Sequence, residues 1–239
     1  MNKFWGIDFQ SHSKEETLRI IERHLVKSVI KKPLIITTLN PEILLFADGD
    51  EQYRDILNKF NLKNVDGFGI KLMGWFRRKN TSRRIPGADL ARHILKVSVK
   101  KKLKIAFVFK KDGLSQKKDL QKFSKNFRAD IKFIEYDVMG EKDNQKINSE
   151  IKDREVVLVG IGAPHQERFI DENKKNWPNL KLAIGVGGTF DFWTGNQSRA
   201  PRIMRKIGLE WLWRLVTRPK RFWKIWKSTV VFMVKSLSR

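Results

Sequence analysis

The chain contains no cysteine, which excludes a disulfide framework and any thiolate zinc site. Its histidines, His12, His24, His93 and His165, lie far apart with no metal-ligand spacing. Both absences suit a cytoplasmic compartment. Long apolar runs are missing as well: the longest late stretch, Val230 to Val234, is far short of the ~20 residues a spanning helix needs. The first residues, Met1 to Gly6, lack the charged-then-apolar pattern of a secretory signal. Any membrane contact is therefore expected to be peripheral. Acid is scarce too, with 26 Asp and Glu against 50 Lys and Arg and a formal charge of +24. The expected partner is anionic: nucleic acid, an anionic lipid surface or a phosphorylated substrate.

What is present divides in two. Up to about residue 195, apolar β-branched runs alternate with stretches of helical period, the pattern of βαβ units around a mostly parallel sheet. Strands are expected at Leu34–Thr38, Leu103–Phe109, Ile131–Tyr136, Val156–Ile161 and Leu182–Val186. Helices are expected at Lys14–Val29, Gln52–Phe60, Asp89–Val99, Ser115–Phe127 and His165–Asn176, with Asp89 as an N-cap after the Pro86-Gly87 turn. From 196 to 239 acid nearly vanishes, and Arg and Lys interleave with Trp211, Trp213, Phe222, Trp223, Trp226 and Phe232. We read residues 1–195 as the core and 196–239 as a basic, Trp-rich helical C-terminal appendage. Indoles beside cations settle well at a membrane interface, so Trp211, Trp223, Lys224 and Trp226 are the expected bilayer contacts. Helical spacing places Arg214, Arg218 and Arg221 on one face, where they could hold an anion.

In open α/β sheets ligands bind beyond the carboxyl ends of the strands, which directs attention to four segments. Thr38 to Glu42 offers a hydroxyl and an amide at a helix start, where Asn40 as N-cap and Pro41 at N1 are equally a plain structural cap. Asp66, between Val65 and Gly67, is a carboxylate where backbone could approach a ligand, or a turn-forming Asp-Gly. Gly160 to Glu167 ends a strand and opens a helix whose first turn carries Gln166, suited to a phosphate. Gly185 to Gly195 is glycine-rich, but its spacing is not that of a dinucleotide fingerprint. There Asp191 could hold a ribose hydroxyl or cap a short helix. His165 is a conceivable general base without an evident orienting carboxylate. Asp48-Gly-Asp50 has metal-diphosphate spacing but reads as solvent-exposed punctuation ahead of a helix.

Taken in order, Thr38-x-Asn40-Pro41-Glu42, Asp66-Gly67-x-Gly69, Arg84-x-x-Gly87-x-Asp89, Gly162-x-Pro164-x-Gln166-Glu167, Gly185 to Phe192, Arg199-Ala200-Pro201 and Gly208 to Arg214 resemble the WecG/TagA/CpsF family of bacterial glycosyltransferases across nearly the whole chain. The resemblance implies a Rossmann-like core and an inverting, metal-independent transfer without a cofactor. The donor would be a UDP-sugar, such as a UDP-hexosamine, and the acceptor a polyprenyl-diphosphate-linked saccharide at the cytoplasmic face of the plasma membrane. It implies Asp66 as general base, Gln166 at the reacting centre, Thr38 and Asn40 as sugar contacts, and Arg214, Arg218 and Arg221 as the basic appendage. Arg84, Gly185, Gly187 and Asp191 complete the expected substrate-binding set, and partial burial against Phe68 and Ile70 would have to make Asp66 a better base.

Two other readings compete. A nucleic-acid-binding protein would carry a similar basic, aromatic footprint, but the chain shows no RRM-type aromatic pattern, zinc knuckle or helix-turn-helix, so no specific nucleic acid is expected. A non-catalytic scaffold at the membrane surface would not need Gln166 and Asp191 after strands, or Asp66 in a glycine-flanked turn. Assembly into a homo-oligomer, through an apolar face where the appendage detaches, is left open by the sequence.

Overall fold

Six strands pair side by side into one sheet, every pair parallel, in a computed structural model that describes residues 2–9, 12–66, 85–140, 144–201 and short stretches between 203 and 236. The chain opens with a hairpin, β1 (Asn2–Phe4) against β2 (Ile7–Phe9), in antiparallel register. Next come α1 (Lys14–Val26), β3 (Leu34–Leu39), α2 (Pro41–Gly49), α3 (Glu51–Lys59), β4 (Leu62–Val65), α4 (Gly87–Lys100) and β5 (Ile105–Lys110). Then follow α5 (Lys117–Ser124), β6 (Ile131–Tyr136), α6 (Asn144–Ile151), β7 (Val156–Gly160), α7 (His165–Asn173), a 3-10 turn (Lys174–Asn176), β8 (Leu182–Gly185) and α8 (Thr189–Thr194). The order across the sheet is β4-β3-β8-β7-β5-β6. This is the Rossmann-like α/β core expected from the alternating pattern.

Strands buried on both faces read as continuous apolar runs, and β3 and β7 show it. All six residues of β3 are buried, and so are Val156 to Val159 of β7. Alternate residues serve opposite layers. Ile105, Phe107 and Phe109 face a core built with α1, α4, α5 and α8, while Ala106 and Val108 face one built with α3, α6 and α7. A third cluster joins the hairpin to α2, α3 and Phe232.

Local chemistry explains the element ends. Ser13 and Glu16 form a capping box that starts α1. Asn40 caps α2, accepting from the Ile43 N–H at 3.0 Å, with Pro41 in the first turn. Asp89 is not the cap of α4: Pro86 occupies that position and Asp89 lies in the first turn, where it receives Arg199 at 2.6 Å. Nor is the Asp48-Gly-Asp50 stretch exposed punctuation. The Asp48 side chain is almost wholly buried and meets Lys235 at 2.6 Å, and Asp50 caps α3 while pairing with Arg168.

The sequence pattern missed β4, α6, α8 and the hairpin. Phe232, one of the aromatics of the basic appendage, is a core residue: it has no exposed surface and stacks on Phe4 at 5.9 Å between ring centres. No helix among the described residues is long and apolar enough to cross a membrane.

Candidate active site

The carboxyl ends of β3, β4, β5, β7 and β8 open into one cavity of about 350 Å³. Here β5 continues outward to β6 while its neighbour β7 continues the other way to β8. Such a reversal leaves a crevice between the diverging connections. Thr38 and Asn40 enter from β3 and its cap, Asp66 from the end of β4, Lys110 from β5, His165 and Gln166 from the start of α7, and Gly187 from beyond β8. The cavity thus unites Thr38, Asn40, Asp66, Gln166 and Gly187.

Asp66 is half-buried, and its Oδ2 accepts the backbone N–H of Gly87 at 2.7 Å. Gly87 begins α4, whose 14 residues direct the positive end of their dipole at that carboxylate. The close approach needs a glycine: a Cβ at position 87 would stand 3.0 Å from Thr38 Oγ1 and 3.1 Å from Asp66 Oδ2. The first turns of α2 and α7, which supply Glu42, Ile43, His165 and Gln166, line the same cavity. Three helix N-termini converging on one cleft make a field suited to an anion.

On the opposite wall the Gln166 side chain is buried and used at both ends. Its Nε2 donates to Glu167 Oε1 at 2.7 Å, and its Oε1 accepts the Gly187 N–H at 2.9 Å. Glu167 has no exposed surface. Its Oε2 accepts from the Tyr53 hydroxyl at 2.9 Å, and Thr37 Oγ1 lies 3.5 Å from the Oε1 that Gln166 also meets. Burial pushes the Glu167 carboxyl up to about 7, against the opposing pull of hydrogen bonds from Gln166, Tyr53 and Thr37. Burial first, and then the Glu167 charge, raises the Tyr53 hydroxyl as well.

Two expected substrate residues sit elsewhere. Gly185 lies beneath this pair rather than on the cavity wall, where a Cβ would come 2.6 Å from Gln166 Nε2. Asp191 is turned to Ser115, whose Oγ donates to it at 2.9 Å, and it does not line the cavity. Arg84, Arg214, Arg218, Arg221, Trp211, Trp223, Lys224 and Trp226 lie outside the described residues, as do Phe68 and Ile70. Among the described residues, no group of three or more His, Asp and Glu is gathered as a metal site.

The sequence reading gave no role to Glu167, Tyr53 or Lys110. A signal existed for Glu167. It shares the buried face of α7 with Phe169, Ile170 and Asn173, so its helical phase pointed inward while its chemistry suggested an exposed first-turn acid.

Residues 2–239 match the family described as glycosyl transferase WecG/TagA/CpsF. The chain belongs to that family. It is 35% identical over 208 residues to the N-acetylglucosaminyldiphosphoundecaprenol N-acetyl-beta-D-mannosaminyltransferase of Bacillus subtilis strain 168, covering 85% of this chain and 78% of the relative. The enzyme of the same name from Bacillus spizizenii is 30% identical over 80% of this chain and 74% of its own. That from Staphylococcus aureus MRSA252 is 26% identical over 96% and 89%. The protein is a glycosyltransferase, and the cavity at the strand ends is the candidate place for its chemistry.

Proposed function

We propose that this enzyme transfers an N-acetylmannosaminyl or closely related hexosaminyl group from its UDP-sugar to an N-acetylglucosaminyl diphosphate carried on a polyprenyl lipid. The reaction would invert the anomeric centre at the cytoplasmic face of the membrane. The donor and acceptor classes follow the names of the relatives, and a β product from an α-linked nucleotide sugar requires inversion. The carrying observation is the shared cleft, with Asp66 on one wall, Gln166 on the other and three helix N-termini aimed between them.

In this reading Asp66 takes the proton of an acceptor hydroxyl as its oxygen attacks the anomeric carbon. The bond from that carbon to the diphosphate breaks, and UDP leaves with the electron pair. Charge developing on the diphosphate is met by the helix N-termini, Gln166 and Lys110, donors already in place before the reaction. Thr38 and Asn40 would hold sugar hydroxyls. Arg84, and Arg214, Arg218 and Arg221 of the appendage, would add charge-assisted bonds to phosphate, with Trp211, Trp223, Lys224 and Trp226 resting at an anionic bilayer.

The test is UDP release from UDP-N-acetylmannosamine in the presence of a short-chain lipid diphosphate bearing N-acetylglucosamine. Asp66→Asn keeps shape and hydrogen bonding but cannot accept the proton, and should lower kcat by roughly 10²- to 10⁴-fold. Near-normal turnover in that variant would remove Asp66 from the base's role.

A further inference from the structure

A carboxyl group with no exposed surface is expensive to keep beside a reaction centre, and an apolar side chain of similar size would fill the same space at lower cost. Glu167 is nevertheless held there by three side-chain donors from three elements: Gln166 at the start of α7, Tyr53 of α3 and Thr37 of β3. Its contact with Gln166 is short, at 2.7 Å. Gly185 leaves the room for it, since a Cβ there would come 3.0 Å from Glu167 Oε1.

The arrangement determines which way round the Gln166 amide sits. With Nε2 against a carboxyl oxygen and Oε1 against the Gly187 N–H, both ends are matched. Turning the amide over would set two acceptors face to face on one side and two donors on the other. One Nε2 hydrogen is committed to Glu167, and the second is what the amide has to give a phosphate or sugar oxygen.

Building on the proposed reaction, we propose that Glu167, steadied by Tyr53, is a positioning residue that holds Gln166 as a hydrogen-bond donor to the substrate and ties it to the Gly187 turn. Glu167 touches no substrate itself. Its contribution passes through the Gln166 amide, and its Oε1 serves as an acceptor. A carbonyl oxygen can do the same work, so Glu167→Gln should keep most of the function, whereas Glu167→Met fills the space without an acceptor.

The experiment is a double-mutant cycle on the full chain with the UDP-release assay, and thermal melting confirms that each variant is folded. Glu167→Met should lower kcat on the order of ten- to a hundredfold, since misplacing a reacting group by about 1 Å can cost about 10²-fold, while KM for the UDP-sugar changes little. Glu167→Gln should restore most of that loss. In a Gln166→Ala background, Glu167→Met should cost almost nothing further. Should Glu167→Met not fold, Tyr53→Phe removes a single oxygen behind Glu167, and its smaller loss in kcat should also vanish in the Gln166→Ala background.

Equal losses in both backgrounds would make Glu167 a residue of the fold alone and overturn the inference, as would full activity of Glu167→Met in the otherwise wild-type chain. Full activity of Gln166→Ala would overturn it differently, by removing Gln166 from the reaction while leaving Asp66 to its own test.

Discussion

Oδ2 of Asp66 and the backbone N–H of Gly87 stand 2.7 Å apart, joining the end of β4 to the start of α4 across 21 residues of sequence. The bond orients the carboxylate with backbone, which cannot swing away as a side chain can. Thr38 closes the same corner from β3. An added methyl at position 87 would press on both residues, at 3.0 Å from Thr38 Oγ1 and 3.1 Å from Asp66 Oδ2. Gly87→Ala should therefore displace Asp66 by a few tenths of an ångström and lower kcat on the order of tenfold, since small misplacements of reacting groups are costly. Its melting temperature should change little, because Gly87 opens α4 with a backbone conformation that Ala also adopts, and the lower freedom of Ala in the unfolded chain offsets the crowding. Steady-state kinetics beside a melting curve checks it, and an unaltered kcat would mean that the corner has slack.

Gly160, the last residue of β7, presents a tighter case. A Cβ there would lie 2.5 Å from the Phe190 ring, and that ring is held by stacking on Phe107 at 5.0 Å and by contact with Trp193. Phe190 has nowhere to retreat without moving α8. Gly160→Ala should cost about 1–3 kcal/mol of stability, the usual range for overpacking a filled core. Urea denaturation measures it directly. A midpoint equal to that of the wild type would show that α8 shifts freely.

The sheet was legible because burial on both faces writes itself as apolar runs, and Ile131–Tyr136 was read with the bounds it has in the structure. The edge strand β4 was not, because its LKNV sequence places Lys63 and Asn64 inside. Both are satisfied by backbone: Lys63 Nζ donates to the Phe60 and Asn58 carbonyls, and Asn64 Nδ2 to that of Ile85. A single sequence cannot announce such pairings. The same limit hid half of the site. Asp66 and Gln166 were found because glycines and strand ends flag them, whereas Tyr53 reaches Glu167 across 114 residues through tertiary packing.

Composition alone does not place Phe232. It stands among cations and indoles in the sequence, yet it fills a pocket between Phe4 and Trp5 of the hairpin. Phe232→Ala should cost about 3 kcal/mol, the lower end for removing a core phenylalanine, and chemical denaturation would reveal it. A loss near zero would mean that the hairpin closes over the vacancy.

Glu167 supplies a prediction in which the sign can be worked out. Its carboxyl stands at about 7 in the folded protein against an ordinary value of 4.5. Between those values the native state holds a proton that the unfolded chain has released, so the Glu167 contribution to stability falls as pH rises through this window. It is level below about 4.5 and again above about 7. That gap corresponds to about 3 kcal/mol. Other groups titrate over the same range, so the quantity to follow is the difference between wild type and Glu167→Gln, whose side chain has no charge to bury. That difference should move in favour of Glu167→Gln by about 3 kcal/mol from pH 4.5 to pH 8, as read from urea denaturation at each pH. A difference that stays flat would show that the folded protein solvates this carboxylate as well as water does, through Tyr53, Gln166 and Thr37 together.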